Sequence, residues 1–98
     1  MENGYRILWT DHALDELSDT YDYLEKHFTE REMRKLSIEL DKILTLISRN
    51  PKLFALSKFV GLRRVVVKKH NTLYYRVNLD YVEIISFFSN RQEQPFSK

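Results

Sequence analysis

The 98-residue sequence predicts an α+β domain of two layers, with a helical hairpin packed on a four-stranded, mainly antiparallel sheet. One short β-prone run precedes two amphipathic helical stretches, and three strand-like runs follow them. Strands joined by short turns are antiparallel, and the first strand must join the same sheet because a lone strand leaves its backbone unpaired. The expected order is therefore β-α-α-β-β-β. We expect one domain over residues 1–98.

The first strand and first helix are predicted from residues 5–28. Residues 5–9 (YRILW) are β-prone, and Thr10 followed by Asp11 offers a helix N-cap with an acid in the first turn. An apolar stripe then recurs at helical spacing and predicts a helix of about five turns. The stripe consists of Ala13, Leu14, Leu17, Tyr21, Leu24 and Phe28. We expect the acids beside it to form a solvated outer face.

The second helix follows almost without a linker. Thr29 with Glu32 three residues later resembles a capping box. A second apolar stripe contains Met33, Leu36, Leu40, Ile43, Leu44 and Ile47. Asn50-Pro51 ends the helix, because proline cannot continue it. The short link predicts that the two helices pack as an antiparallel hairpin.

Residues 52–61 connect the hairpin to the remaining strands. Their apolar side chains are expected to be a satellite of the core: Leu53, Phe54, Leu56, Phe59 and Val60. Residues 62–91 then read as three strands separated by turns at His70-Asn71 and Asn78–Asp80. Residues 90–98 form a short polar tail.

Charge is distributed unevenly along the chain. Residues 1–57 hold 8 Lys/Arg and 11 Asp/Glu, whereas residues 58–98 hold 8 and 3. This asymmetry indicates a basic face suited to nucleic acid or to an acidic protein. The alternative is that the charged side chains of a small basic domain serve only to keep it solvated. The absence of cysteine excludes disulfides and fits a reducing cytosol. We expect no metal, no cofactor and no membrane span, because His12, His27 and His70 lack ligand spacing and no long apolar run exists.

The basic side chains of the strands are the candidates for binding. Arg63 and Arg64 are adjacent, so they point to opposite faces of the sheet. On the next strand, Tyr74 and Arg76 are predicted to be exposed. The predicted basic concavity contains Arg63 or Arg64, Lys68, Lys69, His70, Arg76 and Arg91. Such a surface suits RNA, but the alternatives are a cross-strand pair of Arg76 with Glu83, solvated turn lysines and a His70 that only forms the turn.

Several segments in this order resemble the RelE/ParE superfamily of bacterial type II toxin–antitoxin toxins, and the ParE-like branch in particular. They are residues 13–17 (ALDEL), 21–24 (YDYL), 61–63 (GLR), 73–77 (LYYRV), 82–85 (VEII) and 90–92 (NRQ). The likeness covers nearly the whole chain. It implies a cytoplasmic toxin that is neutralised by an antitoxin encoded beside it, in a toxin–antitoxin hetero-oligomer.

The superfamily divides by mechanism. RelE-like members cut messenger RNA on the ribosome, which requires a group that activates the ribose 2′-OH, a cation and an acid. The resemblance places Arg63 and Arg91 at two basic positions of that site. His70, Tyr74 and Tyr75 are possible substitutes for the rest. Val65, Thr72 and Phe96 depart from the pattern. ParE-like members instead bind DNA gyrase and trap its cleaved-DNA state.

These departures favour a binding toxin over an enzyme. The residues expected to bind the target or the antitoxin are Arg63, Arg64, Lys68, Lys69, Arg76, Arg91 and Phe96. The alternatives are a ribosome-dependent endoribonuclease using Arg63, His70, Tyr74 and Arg91, or a degenerate member that has lost its toxicity.

Overall fold

The computed structural model describes residues 4–89, and these contain two helices and four strands. The elements are β1 (Arg6–Trp9), α1 (Asp11–His27), α2 (Glu30–Arg49), β2 (Arg63–Val67), β3 (Asn71–Val77) and β4 (Tyr81–Ser89). The predicted order β-α-α-β-β-β and the α+β class are confirmed. Arg91 and Phe96 lie outside the described residues.

The four strands form one sheet in the order β1-β4-β3-β2. The β2–β3 and β3–β4 pairings are antiparallel, as the short turns predict. β1 runs parallel to β4, with Ile7 beside Val82 and Trp9 beside Ile84. The sheet is therefore mixed, because the connection through both helices, β2 and β3 returns the chain to β1 in the same direction.

Thr10 caps α1 and also ties it to the sheet. Its side-chain oxygen accepts a hydrogen bond from the Ala13 N–H at 3.1 Å, and its hydroxyl donates to the Ile84 carbonyl at 2.9 Å. The predicted N-cap is thus present. The predicted capping box of α2 is wrong, because the Glu32 N–H is already bonded to the Thr29 carbonyl at 3.0 Å and no side-chain cap bond forms.

The core lies between the helical hairpin and the sheet. Its buried apolar side chains are Ala13, Leu36, Leu40, Ile43, Ile47, Val67, Leu73, Tyr75, Val82, Ile84 and Phe87. The stripe predicted for α2 thus supplies four core residues. In the stripe predicted for the first helix, however, Leu14 and Phe28 are 46% and 53% exposed, and Thr20 is buried in the helix face instead. Thr20 tolerates burial because its hydroxyl donates to the Glu16 carbonyl at 2.9 Å.

The connecting segment does not belong to the core as predicted. Phe54 packs against the core, but Leu53, Leu56, Phe59 and Val60 are exposed. The physical reason is that the segment runs along the outer edge of β2 instead of beneath the helices. Its backbone bonds to that edge through the Arg64 N–H and the Ala55 carbonyl, 3.1 Å apart.

Candidate functional site

The two faces of the sheet differ in what they carry. One face of β2 and β3 packs against the helices through Val67, Leu73 and Tyr75. The opposite face, here called the open face, carries Arg64 beside Tyr74 in the strand register. Because adjacent strand residues alternate, Arg63 and Arg64 lie on opposite faces, as the sequence predicts.

Arg63 is engaged on the helix-facing side. Its Nη1 donates to the Phe54 carbonyl at 2.8 Å, and it pairs in register with Tyr75. The buried Tyr75 hydroxyl donates to the Pro51 carbonyl at 2.7 Å. Burial raises the pKa of Tyr75, and the neighbouring Arg63 charge opposes that rise. Arg63 and Tyr75 together hold the start of the connecting segment, and we call the pair the Arg63–Tyr75 tether.

The two arginines of the open face have different surroundings. Arg64 is exposed, and its side chain makes no ion pair within residues 4–89. Arg76 Nη2 lies 3.1 Å from Glu83 Oε1, so it forms the cross-strand pair considered from the sequence. Exposed pairs of this kind contribute little to stability, and the Arg76 side chain is still 50% accessible.

The turn between β2 and β3 presents three basic side chains to solvent. Lys68 and Lys69 have φ values of 54° and 65°, which is the left-handed region that non-glycine residues rarely adopt. His70 follows them, and its N–H bonds to the Lys68 carbonyl at 2.6 Å. The Asn71 side-chain amide donates to the Val67 carbonyl at 3.1 Å and so fixes the base of the turn.

This turn forms one wall of a cleft of about 770 Å³, here called the turn cleft. The other wall is the end of α1 and the start of α2. The lining residues are Thr20, Tyr23, Leu24, Phe28, Glu32, Leu36, Lys68, Lys69, His70, Asn71 and Ser89. Ser89 Oγ is buried there and has no hydrogen-bond partner among residues 4–89. The turn cleft thus combines a basic rim with a largely apolar wall.

The residues predicted for nuclease chemistry have different surroundings in the described part of the chain. His70 lines the turn cleft on the helix side. Tyr74 lies on the open face, with its ring centroid 5.4 Å from that of Phe59 in an edge-to-face contact. Arg63 is bonded to a backbone carbonyl, and Arg91 lies beyond residue 89. Thr72 is only 3% exposed, between Val66 and Phe88 in the register.

Residues 4–89 contain no group of three or more His, Cys, Asp or Glu side chains arranged to hold a metal ion. Neither α1 nor α2 combines the length and the apolar character that crossing a membrane would need.

Sequence reasoning missed one surface altogether, the exposed apolar side chains of the connecting segment. A signal for it was present in the sequence. Residues 42–79 contain nine Lys/Arg and no Asp or Glu, so the apolar side chains of the connecting segment lie within a purely cationic stretch.

Comparison with known proteins agrees with the class that this fold defines, the toxins of the RelE/ParE superfamily. The model of the family "ParE toxin of type II toxin-antitoxin system, parDE" matches residues 7–94. The chain belongs to this family. Comparison with curated protein sequences gives no match.

Two solved structures share the fold. A chain of the chromosomal ParDE toxin–antitoxin system from P. aeruginosa matches with a TM-score of 0.74 and 15% identity, covering 90% of this chain and 98% of the other. A conserved hypothetical protein from Helicobacter pylori matches with a TM-score of 0.52 and 19% identity, covering 89% and 96%. At such identities the likeness is one of fold alone.

Proposed function

We propose that this chain is a toxin that a cognate antitoxin neutralises, and that it acts by binding DNA gyrase without cleaving RNA. Membership of the ParE toxin family supports the first part. The observation that carries the second part is the separation of His70 from Tyr74. His70 lines the turn cleft on the helix side, and Tyr74 contacts Phe59 on the open face.

This separation matters because RNA cleavage needs a base and an acid at the same phosphodiester. Each group must reach its proton within about 3 Å or through one water. His70 at the turn cleft and Tyr74 against Phe59 have different surroundings, and Arg63 is already bonded to the Phe54 carbonyl. A surface that docks a protein needs no such convergence.

The test is a supercoiling assay with purified gyrase, relaxed plasmid and purified toxin. We expect the toxin to inhibit supercoiling and to leave cleaved DNA after denaturation. Addition of the antitoxin encoded by the neighbouring gene should reverse both effects. Unchanged supercoiling at a large molar excess of toxin would refute gyrase as the target.

A ribosome-dependent endoribonuclease is the second candidate, and the turn cleft is the observation that favours it. Lys68 and Lys69 place cations at its rim beside the His70 imidazole, and the Ser89 hydroxyl lies unpaired there among residues 4–89. Primer extension on translated messages tests this candidate. New cuts in the ribosomal A site that depend on the toxin would establish it, and their absence would remove it.

A degenerate, non-toxic member is the third candidate. Induction of the chain without its antitoxin should arrest growth if either toxic mechanism operates, whereas normal growth at verified expression would identify the degenerate form. The proposal includes a cytoplasmic location, a single domain over residues 1–98 and a hetero-oligomer with the antitoxin.

A further inference from the structure

The connecting segment between α2 and β2 carries four exposed apolar side chains, a surface here called the apolar ridge. It consists of Leu53, Leu56, Phe59 and Val60, which are 50%, 64%, 48% and 100% exposed. Single exposed apolar residues are common, but these four lie within eight positions of one short segment. A concentration of exposed apolar side chains is typical of interaction surfaces.

The ridge is held in place by its backbone. The Arg63–Tyr75 tether binds the carbonyls of Pro51 and Phe54. Further along, the Arg64 N–H donates to the Ala55 carbonyl at 3.1 Å, and the Ser57 N–H donates to the Leu62 carbonyl at 2.8 Å. A segment fixed at both ends presents its side chains in one arrangement, so a partner that binds it does not have to order it first.

The surroundings of the ridge are cationic. Lys52, Lys58 and Arg64 are exposed beside it and make no ion pair within the described residues. Lys58 Nζ lies 5.5 Å from the centroid of the Phe59 ring. No acid occurs between Asp41 and Asp80 in the sequence, so no acidic neighbour along the segment offsets these charges, and an acidic partner would be complementary to them.

We propose that the apolar ridge binds the antitoxin, through a segment in which apolar side chains are flanked by Asp or Glu. This rests on the proposed function, in which the antitoxin is the resident partner. Four exposed apolar side chains in one segment suit a partner that stays bound, as an antitoxin does, whereas the target is met only after the antitoxin leaves. Nucleic acid fits less well, because three of the four side chains are aliphatic and the Phe59 ring already contacts Lys58 and Tyr74.

The charge side of the proposal is tested by zero-length carbodiimide crosslinking of the toxin–antitoxin complex, with mapping by mass spectrometry. This reagent joins a lysine amine directly to a carboxylate. We expect Lys58 and Lys52 to join Asp or Glu of the antitoxin. Crosslinks confined to lysines of the helices, such as Lys26 and Lys35, would overturn the proposal.

The apolar side is tested by calorimetric titration of the antitoxin into variants of the purified toxin. Val60→Asp and Lys58→Glu change exposed side chains and should each weaken binding about tenfold or more. Leu79→Asp is the matched control, because Leu79 is 94% exposed in the β3–β4 turn. The affinity of this variant for the antitoxin should stay within about twofold of that of the original toxin.

The outcomes separate this inference from the function beneath it. If the unaltered toxin binds the antitoxin and both ridge variants bind equally well, the ridge is not the antitoxin site although the chain remains a toxin with a partner. If the unaltered toxin does not bind the antitoxin at all, the proposed function fails together with the inference. Binding of a single-stranded RNA that Lys58→Glu abolishes would assign the ridge to nucleic acid instead.

Discussion

The carboxylate of Glu16 on α1 accepts a hydrogen bond from the backbone N–H of Phe87 on β4, 2.8 Å away. The same oxygen accepts the Ser86 hydroxyl at 2.7 Å. At this point Tyr74 pairs with Ser86 and Tyr75 with Ile84, so β4 contains an additional residue that forms a β-bulge. A bulge disrupts the local ladder of hydrogen bonds, and Glu16 replaces what is lost while fixing the helix to the sheet.

Replacement of Glu16 should therefore destabilise the fold. Glu16→Ala removes the acceptor of two hydrogen bonds, one of them from a backbone N–H, and should lower the free energy of unfolding by about 2–3 kcal/mol. The measurement is urea denaturation followed by circular dichroism. Asp15→Ala is the control, since Asp15 is exposed and should change stability by less than about 0.5 kcal/mol. Equal stability of the two variants would contradict the role of Glu16.

The Arg63–Tyr75 tether predicts a particular response to alkaline pH. Burial raises the folded-state pKa of Tyr75 above its ordinary value of 10.0. Its contribution to stability is therefore complete below that ordinary value and is lost as the pH rises through the folded-state pKa. Tyr75→Phe should cost about 1 kcal/mol at neutral pH, because the hydrogen bond to the Pro51 carbonyl is lost.

The same variant should lose less stability than the original protein when unfolding is repeated in strongly alkaline buffer. Tyr81→Phe serves as the control because Tyr81 is only half-buried at the start of β4. If Tyr75→Phe and the original protein lose stability in parallel, the buried phenol is not the group responsible.

Substitution of Arg63 distinguishes a structural role of this side chain from a catalytic one. Arg63→Met removes the donor to the Phe54 carbonyl and should lower stability by about 1–3 kcal/mol. Hydrogen exchange should also become faster at the Arg64 N–H, which bonds to the same connecting segment. Arg64→Met, at the exposed neighbour, should leave stability nearly unchanged. A stable Arg63→Met variant that has lost all toxicity would instead indicate direct action on a substrate.

The turn before β3 predicts opposite effects for two substitutions of Lys69. At its φ of 65°, a β-branched side chain clashes with the backbone, so Lys69→Val should destabilise the protein by about 1–2 kcal/mol. Lys69→Asn removes the same charge but tolerates this conformation, and should be neutral or slightly stabilising. Lys52→Val, outside the left-handed region, is the control. Thermal unfolding of the three variants compares them, and equal melting temperatures for Val and Asn at position 69 would argue against backbone strain there.

Local chemistry accounts for what the sequence could predict. Thr10 caps α1 because its side chain lies next to the first turn, and Leu36 and Ile47 are buried because their spacing follows one helix face. The Arg76–Glu83 pair could also be considered from the sequence, since a short turn fixes which residues of two neighbouring strands face each other. Such features depend on residues close in sequence or on a regular period.

Features that depend on distant residues were not predictable. Nothing near Glu16 indicates that a bulge in β4, about 70 positions later, will need its carboxylate. The apolar side chains of the connecting segment have core-like composition, and only the path of the backbone along β2 shows that Leu56 and Val60 face solvent. The turn cleft likewise arises from two elements that meet only in the folded chain.

The parallel pairing of β1 with β4 has a consequence during synthesis. Ile7 leaves the ribosome long before its strand neighbour Val82. β1 thus has no strand to pair with until β4 has been translated, and sheets closed by such distant contacts form slowly. The core, to which β4 contributes Val82, Ile84 and Phe87, is therefore completed only after β4 has left the ribosome.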